Sequence, residues 1–191
     1  MKSLSIFAAF LVIPFLSFSQ WTLDRGHTKL TFIATHHGIS EVDGYFKKFE
    51  GKITATKDDL SDGVFEVSVE TASINTDLEM RDNHLKSEDM FDVANFPAMS
   101  FKSTSFKKKE GNKYTMTGNL TIKGVTKPAS FDVVMNGPVP NPNKNAKNMQ
   151  VGIKATTTIK RSDFKIGGKL ETVMVGDDIE VRVTGEFNKP L

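Results

Sequence analysis

Strict alternation of apolar and polar residues is the feature that most constrains what this chain can fold into. Near its C-terminal end, apolar residues or glycine occupy every second position from Ile179 to Phe187, with charged or hydroxyl side chains between them. Successive side chains of a β-strand point to opposite faces, so a period of two predicts a strand with one buried face. A half-buried helix needs a period of about 3.6 residues. The fold is therefore predicted to consist mainly of strands.

The same period recurs along most of the chain. Further alternating runs occupy residues 30–36, 51–56, 65–69, 99–106, 113–122, 129–135 and 150–160. Clusters of Gly, Asp and Asn, which favour turns, separate several of them, and one predicted turn is Gly176-Asp177-Asp178. Residues 136–148, which carry three prolines, are predicted to form an exposed loop. The total is about eight strands in one domain.

One segment departs from the alternation. Over residues 76–86, Leu78 and Leu85 recur at helical spacing, and Thr76 is followed three positions later by Glu79. Thr and Glu at this spacing form a capping box, in which each side chain bonds the backbone N–H of the other at a helix start. The segment is therefore predicted to be a single short helix.

A sheet of this size is favoured to close on itself, because closure removes edges that would pair with other chains. A two-sheet sandwich is the alternative that periodicity leaves open. An eight-stranded barrel either fills with its own side chains or holds one small ligand. Of the fifteen Phe, four precede residue 19, which leaves eleven against one Trp and two Tyr. So many apolar rings suit a lipid cavity, and they suit a solid core at least as well.

The N-terminal segment, residues 1–19, is predicted to be a secretory signal peptide. One lysine precedes an apolar run from Leu4 to Leu16, and Ser17-Phe18-Ser19 places small residues where a signal peptidase reads. A membrane span needs roughly 20 apolar residues, so this run is too short for a stable membrane anchor. Cleavage after Ser19 leaves one domain over residues 20–191. The mature protein is expected to be exported, and periplasmic in a Gram-negative cell.

Charge and cysteine content exclude several classes of function. The net charge of +2 is spread along the chain, whereas nucleic-acid binding needs basic residues concentrated on one face. The chain has no cysteine, which excludes disulfides, thiolate nucleophiles and cysteine-ligated metal sites. The ordinary charge density is compatible with a monomer or a homodimer.

Four histidines, at positions 27, 36, 37 and 84, are candidates for polar chemistry. His36 has the parity of the apolar residues in its strand and is predicted to face the interior, whereas His37 is predicted to face outward. Because neighbouring strand residues diverge, a metal site would need His27, His84 or a carboxylate to converge by folding. No metal site is predicted, since solvated or locally bonded imidazoles account for His27 and His37.

The segment Arg81-Asp82-Asn83-His84-Leu85 is the densest polar group in the chain. Arg81 and His84 lie three residues apart on nearly one helical face, which suits an anionic head group. A structural ion-pair network of Arg81 with Asp82 or Glu79 and a carboxylate across the barrel mouth accounts for these residues equally well. No recognised catalytic motif surrounds Ser40 or Ser87, so no catalytic residue is predicted.

Short motifs follow one another in order along the chain. They are Asp24, His27, His36-x-Gly38-x-Ser40, Gly44-x-Phe46-x-x-Phe49-x-Gly51, Ser73-Ile74-x-Thr76, Arg81-Asp82-x-His84-Leu85, Phe96-Pro97 and the run Thr117-Gly118-Asn119-Leu120-Thr121-Ile122-Lys123-Gly124-Val125-Thr126-Lys127-Pro128. In this order and spacing, over residues 21–187, they resemble the YceI-like, polyisoprenoid-binding family of exported bacterial proteins. One departure is Lys165, where glycine is expected in many members.

The resemblance implies an all-β, lipocalin-like, extended eight-stranded antiparallel barrel. Its interior would hold a long-chain isoprenoid or related amphiphilic lipid, such as a polyprenyl or quinone-like molecule, with no cofactor and no established catalytic activity. Carried over by position, the residues near the pocket are the polar His36, Arg81, Asp82 and His84 and the apolar Phe32, Phe46, Phe65, Val67, Phe101, Leu120, Ile122 and Ile153. The alternative is an enzyme acting on such a lipid, with His36 or His84 as general base beside Asp82.

Overall fold

The computed structural model describes residues 19–143 and 145–191. Strands dominate this part of the chain. In chain order the elements are β1 (Ser19–His36), β2 (Ser40–Phe46), β3 (Phe49–Ala55), β4 (Val64–Glu70), β5 (Ile74–Asn75), α1 (Glu79–Lys86), β6 (Ala98–Lys108), β7 (Lys113–Ile122), β8 (Val125–Pro140), β9 (Asn148–Lys160) and β10 (Val175–Pro190). Short 3-10 turns lie at Thr71–Ser73 and Ser162–Phe164.

The strands form a closed ring. Hydrogen-bonded neighbours follow the order β10-β9-β8-β7-β6-β4-β3-β1, and β10 also pairs with β1. This last pairing closes an eight-stranded antiparallel barrel, and β2 and β5 extend the sheet beside β1. Closure removes the sheet edges that would otherwise pair with other chains. The prediction of an eight-stranded barrel rather than a sandwich is confirmed.

β1 changes partner along its length. Residues 19–22 pair with β3, whereas residues 31–36 pair with β2. Between them the pairing with β10 is shifted by a bulge after Asp24, where the buried Thr28 donates its hydroxyl to the Asp24 carbonyl at 2.6 Å. Gly185 of β10 lies against the Thr28 side chain. A Cβ at position 185 would overlap that side chain, and glycine avoids the overlap. The bulge and the glycine together fit the two ends of the chain against each other.

The two ends of the barrel are filled differently. One end is a solid core around Trp21 and Ile53, in which Phe106 stacks on Tyr114 with ring centroids 4.6 Å apart. The other end is covered by segments outside the barrel strands. These segments contribute Ile74, Met90, Phe164 and Ile166 to a second cluster. The open space of the barrel lies where the two clusters meet.

The helix begins three residues later than predicted. The residue at the N-cap of α1 is the apolar Leu78. The Thr76 hydroxyl donates to the Asp82 carboxylate at 2.6 Å, and the Thr76 N–H donates to the same oxygen at 2.8 Å. The predicted capping box of Thr76 with Glu79 is therefore wrong, because Asp82 binds the turn instead.

Two predicted loops are shorter in the structure. Asp177 and Asp178 lie within β10 rather than in a turn, and Asp177 accepts hydrogen bonds from the Ser162 N–H and hydroxyl at 2.9 and 2.8 Å. The predicted loop over residues 136–148 contains the end of β8, which runs to Pro140. Lys165 has a φ of 57°, in the left-handed region where glycine is favoured.

Two parts of the chain bear on membrane association, namely the helix α1 and the N-terminal segment. Within residues 19–143 and 145–191, no helix has the length and apolar character needed to span a bilayer. The predicted signal peptide, apart from Ser19, lies outside the described residues. Its export role therefore stays a prediction.

Candidate functional site

An elongated cavity of about 200 Å³ lies inside the barrel. Inward-facing side chains of the barrel strands form its walls, and Leu85 of α1 covers part of it together with Met90 and Phe91. On β9 and just beyond it, the lining extends from Ile153 to Arg161. At about 3.3 Å per residue this is a span of roughly 26 Å. The space is thus long and narrow.

All eight apolar residues that the resemblance places in the pocket border this cavity. They are Phe32, Phe46, Phe65, Val67, Phe101, Leu120, Ile122 and Ile153. Strand pairing explains the agreement, because Phe32 lies opposite Val181 and Val181 lies opposite Thr157. A row of inward side chains therefore crosses three strands. Their role in binding stays a prediction.

Several lining side chains are only partly buried, although they face inward. Phe32, Val67 and Leu120 are all of intermediate exposure. The Phe46 ring lies between two others, 5.7 Å from the Phe32 centroid and 6.2 Å from the Phe91 centroid. Inward residues that stay partly exposed border space that protein atoms do not fill. The cavity is therefore unfilled space wide enough for a water-sized molecule.

His36 does not face the cavity. It ends β1 and is exposed, and its ring stacks on His37 with centroids 3.8 Å apart. The strand stops there because His37 has a φ of 52°, so the chain turns away from the barrel. Ala34 is the last residue of β1 that borders the cavity. The prediction that His36 faces inward is wrong for this reason.

Arg81 and Asp82 hold the turn that precedes α1. The Arg81 Nε donates to the Thr76 hydroxyl at 2.8 Å, and Nη2 donates to the Thr76 carbonyl at 2.7 Å. Asp82 is buried and bonds Thr76 from the other side. The predicted ion pair of Arg81 with a carboxylate does not form among the described residues. Neither Arg81 nor Asp82 borders the cavity.

His84 lies on the exposed side of α1. Its Nε2 is 3.5 Å from an oxygen of Asp89, and about half of its side chain is exposed. The Ser87 hydroxyl, and to a lesser extent His84, hold the pKa of Asp89 below its ordinary value. His84 and His36 thus do not converge with Asp82 on the cavity, as a general base for catalysis would require.

The sequence model of the YceI-like domain matches residues 21–187. The chain belongs to the YceI-like family. A UPF0312 protein of Staphylococcus aureus (strain N315) is 34% identical over 174 residues, which cover 89% of this chain and 98% of that relative. The crystal structure of a Campylobacter jejuni YceI protein is 32% identical with a TM-score of 0.73, and the match covers 80% of this chain and 88% of that one.

A more distant structure has the same fold. It is a polyisoprenoid binding domain from Saccharophagus degradans, implicated in plant cell wall breakdown, and it is 14% identical with a TM-score of 0.64. The match covers 91% of this YceI-like chain and all of that one. Family membership points to a binding protein rather than an enzyme.

The cavity of this YceI-like domain also has lining residues that the resemblance did not indicate. Those on barrel strands, such as Phe131 and Phe187, share the parity of their neighbours and could be found from the alternation. Leu85, Met90, Phe91, Arg161 and Ile166 lie off the barrel strands, where a period of two does not apply. Among these, Arg161 introduces a charge.

The outer wall of the YceI-like barrel brings His27 close to two carboxylates. Donor atoms of His27, Asp24 and Glu186 all lie within 4.8 Å of one another, and none of the three residues borders the cavity. His27 Nδ1 bonds the Asp24 carboxylate at 3.0 Å. This hydrogen bond raises the pKa of His27 and lowers that of Asp24. A locally bonded imidazole, as predicted for His27, accounts for the arrangement.

Proposed function

We propose that this YceI-like domain binds the apolar chain of a long isoprenoid or related amphiphile inside the barrel, and that it carries or sequesters this lipid. One observation carries the proposal. Among the described residues that border the cavity, only Ser100, Thr157 and Arg161 are not hydrophobic. Such a lining favours a chain with few hydrogen-bonding groups.

Burial of apolar surface supplies the binding free energy. Each Å² of apolar surface removed from water contributes about 25 cal/mol, so a chain enclosed along the barrel gains affinity without polar contacts. Family membership supports this ligand class, as does the description of the Saccharophagus degradans neighbour as a polyisoprenoid binding domain. Prenyl and quinone-like lipids share the required apolar chain.

A long chain needs more room than the cavity offers. Its volume of about 200 Å³ is below the roughly 300–1,000 Å³ of ordinary ligand pockets. Met90, Met99 and Met116 border the space, and methionine adapts its shape with little strain. We therefore expect the barrel to widen by rotation of these side chains when a ligand enters.

Native mass spectrometry of the protein purified from its exporting host tests the proposal. The expected result is one long-chain amphiphile per chain, identified after organic extraction. The same spectra report whether the protein is a monomer or a homodimer. A protein that is empty and also fails to take up added prenyl lipids or quinones would count against the proposal.

Substitutions at two neighbouring residues distinguish lipid binding inside the barrel from lipid binding on its outer wall. Phe32→Asp places a carboxylate at the cavity, whereas Ile33→Asp places one at the position of opposite parity. We expect the first variant to lose co-purified lipid and the second to retain it, with both variants secreted. Equal lipid content in the two variants would contradict an interior site.

Export is part of the proposal. We infer that residues 1–19 direct secretion and are removed, as the length of their apolar run suggests. In a Gram-negative host, the periplasmic fraction is expected to contain a protein that begins at Gln20. N-terminal sequencing of the purified protein tests this expectation, and an intact N terminus would contradict it.

A further inference from the structure

One end of the cavity carries a buried positive charge. Arg161 follows β9, borders the cavity and is only 5% exposed. Its guanidinium makes five hydrogen bonds at 2.8–3.2 Å, all to backbone carbonyl oxygens, which belong to Ile166, Gly167, Leu170, Val175 and Gly176. These bonds fold the connection between β9 and β10 around the side chain.

The five bonds satisfy the donors of Arg161 without neutralising its charge. Among the described residues, no carboxylate lies within 4.0 Å of its nitrogens. Asp177, in the same region, is occupied by Ser162, whose backbone N–H does more to lower the pKa of Asp177 than the charges of Lys160 and Arg161 do. Arg161 is also the one ionisable side chain among the described lining residues. The described lining at this end of the cavity therefore carries one positive charge and no negative one.

A charge in an apolar interior interacts strongly with whatever enters beside it, because the surroundings screen it weakly. It is also costly to bury when it has no counterion. We propose that Arg161 selects an amphiphile with an anionic head group and orients this group toward the β9–β10 connection. The inference rests on the proposed function and adds to it the class of head group and the direction of the chain.

This assignment differs from the one made on residue type alone. Arg81 and His84 suit an anionic group by their spacing, but neither borders the cavity. The guanidinium of Arg81 is already bonded to Thr76 in the turn before α1. Arg161 lies instead at the end of the row formed by Ile159 and the residues before it on β9.

Three probes with one prenyl chain and different charges test the proposal in the wild-type protein. They are geranyl phosphate, geraniol and geranylamine, each measured by competition against one fluorescent apolar probe, with inorganic phosphate as a further control. We expect geranyl phosphate to bind at least tenfold more tightly than geraniol, and geranylamine to bind more weakly than geraniol. Phosphate alone is expected not to compete.

A matched pair of variants then tests whether the head group lies at the Arg161 end of the cavity, while leaving the arginine and its five bonds in place. Ile159→Glu adds a carboxylate two positions before Arg161, and Ile159→Gln adds the same shape without charge. We expect the ratio of geranyl phosphate to geraniol affinity to collapse toward one in Ile159→Glu and to persist in Ile159→Gln.

The outcomes separate the two proposals. If none of the three probes binds and the protein also takes up no longer prenyl lipid, the lipid-binding function itself fails. If all three bind the wild-type protein equally, lipid binding stands and the role of Arg161 is overturned. A preference that is unchanged in a folded Ile159→Glu variant likewise overturns the assignment to Arg161, and circular dichroism confirms that each variant is folded.

Discussion

Filling the cavity with a larger side chain is expected to stabilise the ligand-free protein. Ala155 is 3% exposed and borders the cavity, so Ala155→Leu directs three more carbon atoms into unfilled space. Even at the roughly 30 Å³ that a water molecule occupies in the liquid, these atoms take less than half of the 200 Å³. At about 0.8 kcal/mol per buried CH₂, the gain in unfolding free energy has a ceiling of about 2.4 kcal/mol.

The same substitution at Ala55 is the control. Ala55 is 2% exposed and belongs to the same buried cluster as Ala155, but it does not border the cavity. Overpacking such a site costs about 1–3 kcal/mol. Urea denaturation measures both variants, and comparison of midpoints at equal slope gives the sign of each change. If Ala155→Leu destabilises the protein as Ala55→Leu does, the interior is a packed core and the reasoning from the cavity is refuted.

Three further predictions concern other parts of the molecule. Gly118→Ala is expected to cost about 1–3 kcal/mol, because its Cβ would meet the Lys102 carbonyl oxygen, and urea denaturation measures the loss. Asp82→Asn weakens the charge-assisted hydrogen bonds from Thr76, each of which contributes about 1.5–3 kcal/mol. Amide hydrogen exchange in the turn before α1 should therefore become faster, and unchanged exchange would contradict this expectation. Because the pKa of His27 is raised, its contribution to stability is present below pH 6.5 and is lost as pH rises through its folded pKa. Because the pKa of Asp24 is lowered, the contribution of Asp24 to stability is lost as pH falls through the folded pKa of Asp24. His27→Gln should therefore reduce the free energy of unfolding most between the folded pKa values of Asp24 and His27. Urea denaturation midpoints measured against pH test this expectation.

Alternation predicted the barrel walls because the same physical rule operates in sequence and structure. A strand that buries one face must place apolar residues at every second position, and Phe32, Phe65, Val67 and Ile153, which the resemblance placed in the pocket, lie in such alternating runs. The family resemblance added Phe46, which lies on β2 outside the ring of eight strands. Parity is a local property of a strand, so the sequence alone carries it.

The polar residues could not be placed in this way. Strand parity does not predict the direction of the His36 side chain, because the chain leaves the strand by turning at His37. Thr76 has two acidic residues within reach along the sequence, and only the folded turn selects Asp82 over Glu79. The surroundings of Arg161 leave no pattern in the sequence, because every hydrogen-bond acceptor it uses is a main-chain carbonyl, which any residue type can provide.

The pairing of β1 with β10 ties the order of folding to the order of synthesis. Thr22 bonds Asn188 across 166 positions of sequence, so β1 cannot pair with β10 until nearly the whole chain is present. Contacts this distant in sequence slow folding, since a long loop must close before they form. A chain whose ring is completed by its last strand therefore keeps an open sheet edge until its C-terminal residues have been synthesised.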